Sequence, residues 1–280
     1  MTNPLNYIVG CMAASELNYE TQKIQTEHRL KLARFWGIED GNNILEIGCG
    51  QGDTTAVLAY LVGENGFVHG VDIASPDYGA PLTLGESIDY LKSSSLSSRI
   101  QVDFERDILS DDVAFNEHTF DAVILSHSSW YLNNAHELEK ILQKLKKWGK
   151  KLCFAEWDTR VTTAEQLPHF LAVLIQAQYE CFQSETSSNV RTLFTPMDLK
   201  EIATKAGWNI THEKSIYSPM LQDGEWEIHQ TLSEYHDKLI NSNEMPSRLS
   251  TLIQSQIKLL EDAINKNNVR PMAAYTFTAE

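Results

Sequence analysis

Short apolar runs recur at 44–47, 67–73, 100–104, 120–126, 151–156, 209–217 and 272–278, separated by stretches with apolar residues three and four apart. A short apolar run bounded by polar turns reads as a buried strand, and a 3.6-residue period reads as a helix. Alternation of the two predicts an α/β fold, a doubly wound and mostly parallel seven-stranded sheet with helices on both faces. Ligands of such sheets sit at the carboxyl ends of the strands, which here carry Gly48, Asp72, Asp107, Ser126 and Glu156.

Three segments exceed that plan. An N-terminal arm (1–38) holds a helix from about Tyr19 to Trp36, with Ile24, His28, Leu32 and Phe35 on one face. The remainder (39–280) reads as one domain with helical insertions at about 159–190 and 222–268. In the first insertion Leu167, Phe170, Leu171, Leu174 and Phe182 fall at helical spacing. The second carries two stripes, one from Ile228 to Leu239 and one from Leu249 to Ile264, with a turn expected at Ser242–Pro246. Thr195-Pro196-Met197-Asp198 reads as a capped helix start with Pro at its first position. The arm and the first insertion are expected to close over the carboxyl edge as a lid. For the αα-hairpin, a lid and an outer or dimer surface are equally open.

A chain of 280 residues with 42% hydrophobic content can bury one large core. No apolar run approaches the roughly 18 residues of a membrane span. The first ten residues have neither a basic nor a sustained apolar region, so no signal peptide is expected. Four scattered cysteines (Cys11, Cys49, Cys153, Cys181) predict reduced thiols in the cytoplasm and no metal site. A net charge of −15 weighs against nucleic acid as partner, because such a field repels phosphate. The one basic cluster, Lys144–Lys151, ends a predicted helix, where cations complement the dipole.

The most informative stretch is Ile44-Leu-Glu-Ile-Gly-Cys-Gly-Gln-Gly-Asp53: a strand, three alternate glycines, then a helix start. Glycine takes φ > 0 and has no Cβ, so a ligand can touch bare backbone beside the helix N-terminus. The lysine that a phosphate-cradling loop needs is missing. Asp53 stands where the dinucleotide fingerprint has its third small residue, and its charge opposes a pyrophosphate. Glu46 and Asp53 together suit a cationic ligand.

Glu46-x-Gly48-x-Gly50-x-Gly52 resembles the first motif of class I S-adenosylmethionine-dependent methyltransferases, and the likeness continues in order to about Asp158. Phe67–Asp72 is similar to the family's second strand with its ribose-binding acid, and Arg106-Asp107-Ile108 to its adenine site. Phe120–Ser126 resembles its fourth strand. The resemblance implies an antiparallel final strand and S-adenosyl-L-methionine as cofactor. It places cofactor contacts at Glu46, Gly48, Cys49, Gly50, Gly52, Asp72, Ile73, Asp107, Ile108 and Ser126. The plainer alternatives are a cap for Asp72 and a turn at Asp107.

Methyl transfer is an in-line displacement, and positioning alone can contribute ~7–11 kcal/mol. A base is needed only when the acceptor must lose a proton. His127, just past the fourth strand, is the candidate base, with a structural histidine as the alternative. Trp130, Tyr131 and Trp157 follow strands four and five and suit a substrate pocket or packing beneath the lid; Tyr19 joins them as a substrate-binding candidate and, with Gln22, suits the cofactor's methionine end. His229 and His236 lie on lid helices, where surface positions are the commoner outcome. The expected activity is transfer of a methyl group to oxygen or nitrogen, less readily carbon, of a small molecule. The alternatives are a non-catalytic cofactor-binding scaffold and a protein methyltransferase.

Overall fold

The computed structural model describes residues 3–13, 18–183, 188–241, 245–266 and 268–280. Part of the expected hairpin turn (242–244) and residues 184–187 of the first insertion lie outside the described residues.

The seven strands are β1 (Asn43–Ile47), β2 (Phe67–Val71), β3 (Ile100–Asp103), β4 (Phe120–Ser126), β5 (Gly149–Trp157), β6 (Ile210–Ile216) and β7 (Ala274–Ala279). They pair in the order β3-β2-β1-β4-β5-β7-β6. β1 to β5 run parallel, and β7 lies antiparallel between β5 and β6. The second strand ends at Val71, two residues before the sequence pattern breaks, so Asp72 and Ile73 begin the following loop.

The helices are α1 (Pro4–Val9), α2 (Tyr19–Phe35), α3 (Asp53–Leu61), α4 (Leu84–Ser93), α5 (Ala135–Trp148), α6 (Leu167–Glu180), α7 (Pro196–Lys205), α8 (Asp223–Asn241) and α9 (Ser247–Lys266). Asn18 caps α2 through Thr21 N at 3.2 Å, and Thr195 with Asp198 forms a reciprocal capping box on α7. The basic cluster disperses: Lys150 bonds Asp121, Lys151 bonds the Trp36 carbonyl, and Lys146 lies 4.4 Å from the Trp208 ring.

Strand alternation sorts the core into two layers. Leu45, Ile47, Val123, Leu125, Leu152 and Phe154 face α5 and α7. Ile44, Val68, Ile124 and Cys153 face α2, α3 and α4. Glu46 shares the face of Ile44, which carries its carboxyl towards α3. A third, satellite core joins α6, α8 and α9 through Ala172, Ile175, Tyr235, Ile253, Ile257 and Leu260.

α2 is bound at both of its ends. At the C-terminal end, buried Trp36 donates its Nε1–H to Thr276 Oγ1 on β7 at 2.8 Å, and that hydroxyl donates to the Phe154 carbonyl at 2.7 Å. Breaking one buried hydrogen bond while shrinking a core ring combines two penalties. Trp36→Phe is therefore expected to lower unfolding free energy by roughly 1–3 kcal/mol in urea denaturation. Unchanged stability would remove this anchor from the fold's support.

Candidate active site

Register brings the chemistry-bearing residues to one level. Ile47 pairs with Val71 on one side and with Leu125 on the other, so Gly48, Asp72 and Ser126 emerge side by side. Ser126 pairs with Ala155, which sets His127 beside Glu156. The chain leaves β1 towards β2 and β3, then returns to β4 on the other side. That reversal opens the crevice in which doubly wound sheets bind ligands.

Gly48, Gly50 and Gly52 all take positive φ (72°, 52° and 84°). A Cβ on Gly48 would lie 2.9 Å from Ser128 Cβ, whereas a Cβ on Gly50 would meet nothing within 4 Å. The turn is thus closed on the β4 side and open at Gly50, a backbone cradle that fits a ligand. Asp72 Oδ2 accepts from Gly50 N at 2.8 Å, and Oδ1 accepts from Ala74 N at 2.9 Å, so this carboxylate also shapes the cradle.

Glu46 lies beneath the turn and is only 2% exposed. Thr55 Oγ1 on α3 donates to its Oε2 at 2.6 Å. Burial raises its pKa from 4.5 to about 8, against the opposing Thr55 bond and the Arg29 charge. Near neutrality this carboxyl therefore holds a proton, and the cationic-ligand reading rests less on its charge than its place in the motif suggests. Asp53 is likewise engaged: Arg29 Nη2 stands 3.3 Å from Oδ2, and Gln22 Nε2 donates to Oδ1 at 2.9 Å. Both partners come from α2.

The other cofactor candidates divide. Cys49 is buried against Gly70, and burial pushes its thiol up. Ile73 is 70% exposed and Ile108 is in the core. Asp107 is exposed and accepts from Leu109 N at 2.8 Å, so it also opens the turn that follows. Tyr19 is exposed at the start of α2.

Beyond β4 the chain turns sharply. His127 has φ +52°, a left-handed conformation uncommon for a residue with a side chain, although histidine adopts it more readily than most. Glu156 fixes the loop that follows: its carboxylate accepts from Ser129 N (3.1 Å), Ser129 Oγ (2.7 Å) and Trp157 N (3.0 Å). The His127 ring stands between this carboxylate, 3.6 Å from its Nδ1, and His28 of α2, whose Nε2 is 3.3 Å from its Nε2. His28 Nδ1 pairs with Ser218 Oγ at 3.0 Å, and burial, then the His127, Arg29 and Lys31 charges, lowers its pKa. Trp157 packs beside both imidazoles, with centroids 4.7 Å from His127 and 6.4 Å from His28.

Asp158, two residues beyond Glu156, takes partners of its own. Asp158 takes a two-pronged bond from Arg160 and a third bond from Ser215 at 2.6 Å. Trp130 is buried, with no partner for its Nε1 among the described residues. Tyr131 keeps 42% of its surface exposed. Desolvation there, then Glu227, Tyr78, Glu156 and Asp72, raises its hydroxyl pKa.

The lid elements converge on this edge. Gln25 of α2 donates to Asp223 of α8 at 2.7 Å, and Gln176 of α6 donates to Glu227 of α8 at 2.7 Å. The first turns of α8 thus reach the carboxyl edge, while His229 and His236 remain exposed. Sequence reasoning missed Arg29, Gln25, Glu227, Ser218 and His169. None has a local motif, and only helix period hinted at their side of each helix.

A parallel sheet reversing at β1/β4, with a glycine cradle and an acid after β2, defines the Rossmann-like class of S-adenosylmethionine-binding folds. The chain belongs to the methyltransferase domain family: the family's sequence pattern matches residues 21–213. A cyclopropane-fatty-acyl-phospholipid synthase-like protein from Lactobacillus casei ATCC 334 is 35% identical, with a TM-score of 0.87 over 100% of this chain and 99% of that one. Methyltransferase phomM' of Diaporthe leptostromiformis is 28% identical over 213 residues, 61% of this chain and 54% of that protein. The chain therefore spans about half the length of that relative. Phosphoethanolamine N-methyltransferase 2 of Haemonchus contortus, solved in complex with S-adenosyl-L-methionine, shares the fold. It has a TM-score of 0.51 and 16% identity over 90% of this chain and 52% of its own. The cofactor of the family is S-adenosyl-L-methionine. No helix among the described residues is long and apolar enough to cross a membrane.

The raised pKa of Glu46 has a consequence for stability. Between 4.5 and about 8 the folded state binds more protons than the unfolded state, so stability falls as pH rises through that window and levels off above it. Glu46→Gln keeps an acceptor for Thr55 and carries no charge. It is expected to melt higher than the parent at pH 8.5 and equally near pH 4.5. A gap of the same size at both pH values would contradict the buried, protonated carboxyl.

Proposed function

We propose that the chain transfers a methyl group from S-adenosyl-L-methionine to an oxygen or nitrogen of a small molecule. The carrying observation is the left-handed His127 at the carboxyl end of β4, its ring held between Glu156 and His28. Strained backbone persists only where the surroundings enforce it, and such residues concentrate at functional sites.

The Gly48–Gly52 backbone, Asp72 and the Asp107–Ile108 loop suit the cofactor, in the places the family resemblance assigns. Bound there, S-adenosylmethionine supplies an electrophilic methyl on a sulfonium. The chain's own residues must then orient the acceptor, exclude water and remove a proton. Glu156 favours a proton on His127 Nδ1, which leaves the basic lone pair on Nε2. That lone pair faces His28, so an acceptor hydroxyl or amine reaches it by displacing the His28 N–H. Once protonated, His127 is an imidazolium beside the Glu156 carboxylate, a favourable pairing in a buried site.

Trp157, Tyr131 and Trp130 offer apolar and aromatic surface for a compact acceptor. Gln25–Asp223 and Gln176–Glu227 bonds draw α2, α6 and α8 together over the edge, which favours a small molecule over a protein chain. The net charge of −15 supports the exclusion of nucleic acid, and unpaired Cys11, Cys49, Cys153 and Cys181 support a cytoplasmic location.

The test is incubation with methyl-labelled S-adenosylmethionine and a metabolite extract, followed by mass spectrometry of labelled products. With a product in hand, His127→Ala is expected to lower kcat by about 100-fold or more, within the range of general-base catalysis, while S-adenosylhomocysteine affinity stays within twofold. Undiminished turnover would dismiss His127 as the base. Tight cofactor binding with no label transferred would favour the scaffold reading.

A further inference from the structure

Of nine buried side-chain polar atoms that lack a partner among the described residues, four belong to Ser126, His127, Trp130 and His169. The first three follow β4 and border the crevice. His169 comes from the third position of α6, in the first helical insertion.

The His169 ring is 0% exposed and fixed on three sides. Met272 N donates to its Nδ1 at 3.0 Å. Gly224 of α8 lies so close that a Cβ there would stand 3.3 Å from His169 Cβ and Cγ. The Trp157 and His169 rings pack T-shaped with centroids 5.0 Å apart, and Trp157 in turn touches His127. Because a backbone N–H occupies Nδ1, a neutral ring must carry its proton on Nε2. Burial, then the His127 charge, holds the pKa down at about 3, so the ring stays neutral throughout the physiological range. Its Nε2–H is therefore a permanent donor, oriented by the fold and unmatched by any acceptor among the described residues. A buried donor left unmatched is unfavourable, and a ligand atom that accepts from it recovers that loss.

We propose that His169 is a substrate-binding residue whose Nε2–H holds a neutral oxygen of the methyl acceptor beside His127. The proposal rests on the reading of this crevice as a methyl-transfer site. A neutral carbonyl or hydroxyl oxygen fits better than a carboxylate. The donor is uncharged, and the carboxylates of Glu156 and Asp72 stand on the same strand edge, where a further negative charge is repelled. The acceptor thus carries two polar atoms: one that loses a proton to His127 and one that His169 holds. A site that hydrogen-bonds a ligand oxygen discriminates strongly against analogues that lack it, because the site's own group is then left unpaired.

Two measurements on the full chain decide this. Long-range proton–nitrogen NMR of the histidine rings reads the tautomer without any substrate. A proton on Nε2 is expected. A proton on Nδ1, or an Nε2–H shifted upfield by the face of Trp157, would overturn the assignment. The second measurement uses His169→Asn, whose Oδ1 can keep the Met272 N–H bond while the Nε2–H is lost. On the product found with labelled cofactor, kcat/KM is expected to fall about 10- to 100-fold, chiefly through KM, with S-adenosylhomocysteine affinity unchanged. Unchanged kcat/KM would mean that only an ordered water meets this donor. A chain that binds cofactor but labels nothing defeats the methyl-transfer reading instead, a failure separate from that of the tautomer.

Discussion

A carboxylate taken out of water must be paired, hydrogen-bonded or protonated, and that constraint organises the carboxyl edge of this sheet. Four strand-end acids meet it in four ways. Glu46, within β1 near its end, holds a proton and a threonine hydroxyl. Asp72, after β2, takes two backbone N–H groups and in doing so shapes the glycine turn. Glu156, at the end of β5, takes three donors and pins the loop that carries His127. Asp158 turns to Arg160 and Ser215. Only the first three border the crevice, and each leaves a different electrostatic character: a neutral floor, an anionic wall and a partner for an imidazole.

The arm helix closes the arrangement. α2 is anchored in the core by Trp36 and reaches the site through Gln22, Gln25, His28 and Arg29. A single rigid helix therefore couples the cradle, the His127 ring and the first turn of α8. The His127 ring sits between Glu156, 3.6 Å from its Nδ1, and His28, 3.3 Å from its Nε2.

Strand number, the parallel order and the glycine turn were legible because each leaves a local signature, an apolar run or a glycine spacing. Asp72 and His127 were legible because register places strand-end residues together. The role of Glu46 was not. Its letter reads as a charge, and only the alternation that turns it beneath α3 reveals a buried, protonated group. Asp53 was read as a charge for a cationic ligand because Arg29, its partner, is twenty-four positions away in sequence. His169 left no trace, since its meaning depends on Met272, more than a hundred residues further on. Contacts made across such distances follow from packing, and no local periodicity encodes them.

Everything in this reading depends on the β1–α3 cradle and Asp72 holding S-adenosylmethionine. Titration calorimetry of S-adenosylhomocysteine into the parent chain and Asp72→Ala examines that directly, with NAD as the competing ligand. The parent is expected to bind the homocysteine product and not NAD, and Asp72→Ala to bind it at least tenfold more weakly, a difference of about 1.4 kcal/mol. Equal affinity in the two proteins, or preferential binding of NAD, would contradict it.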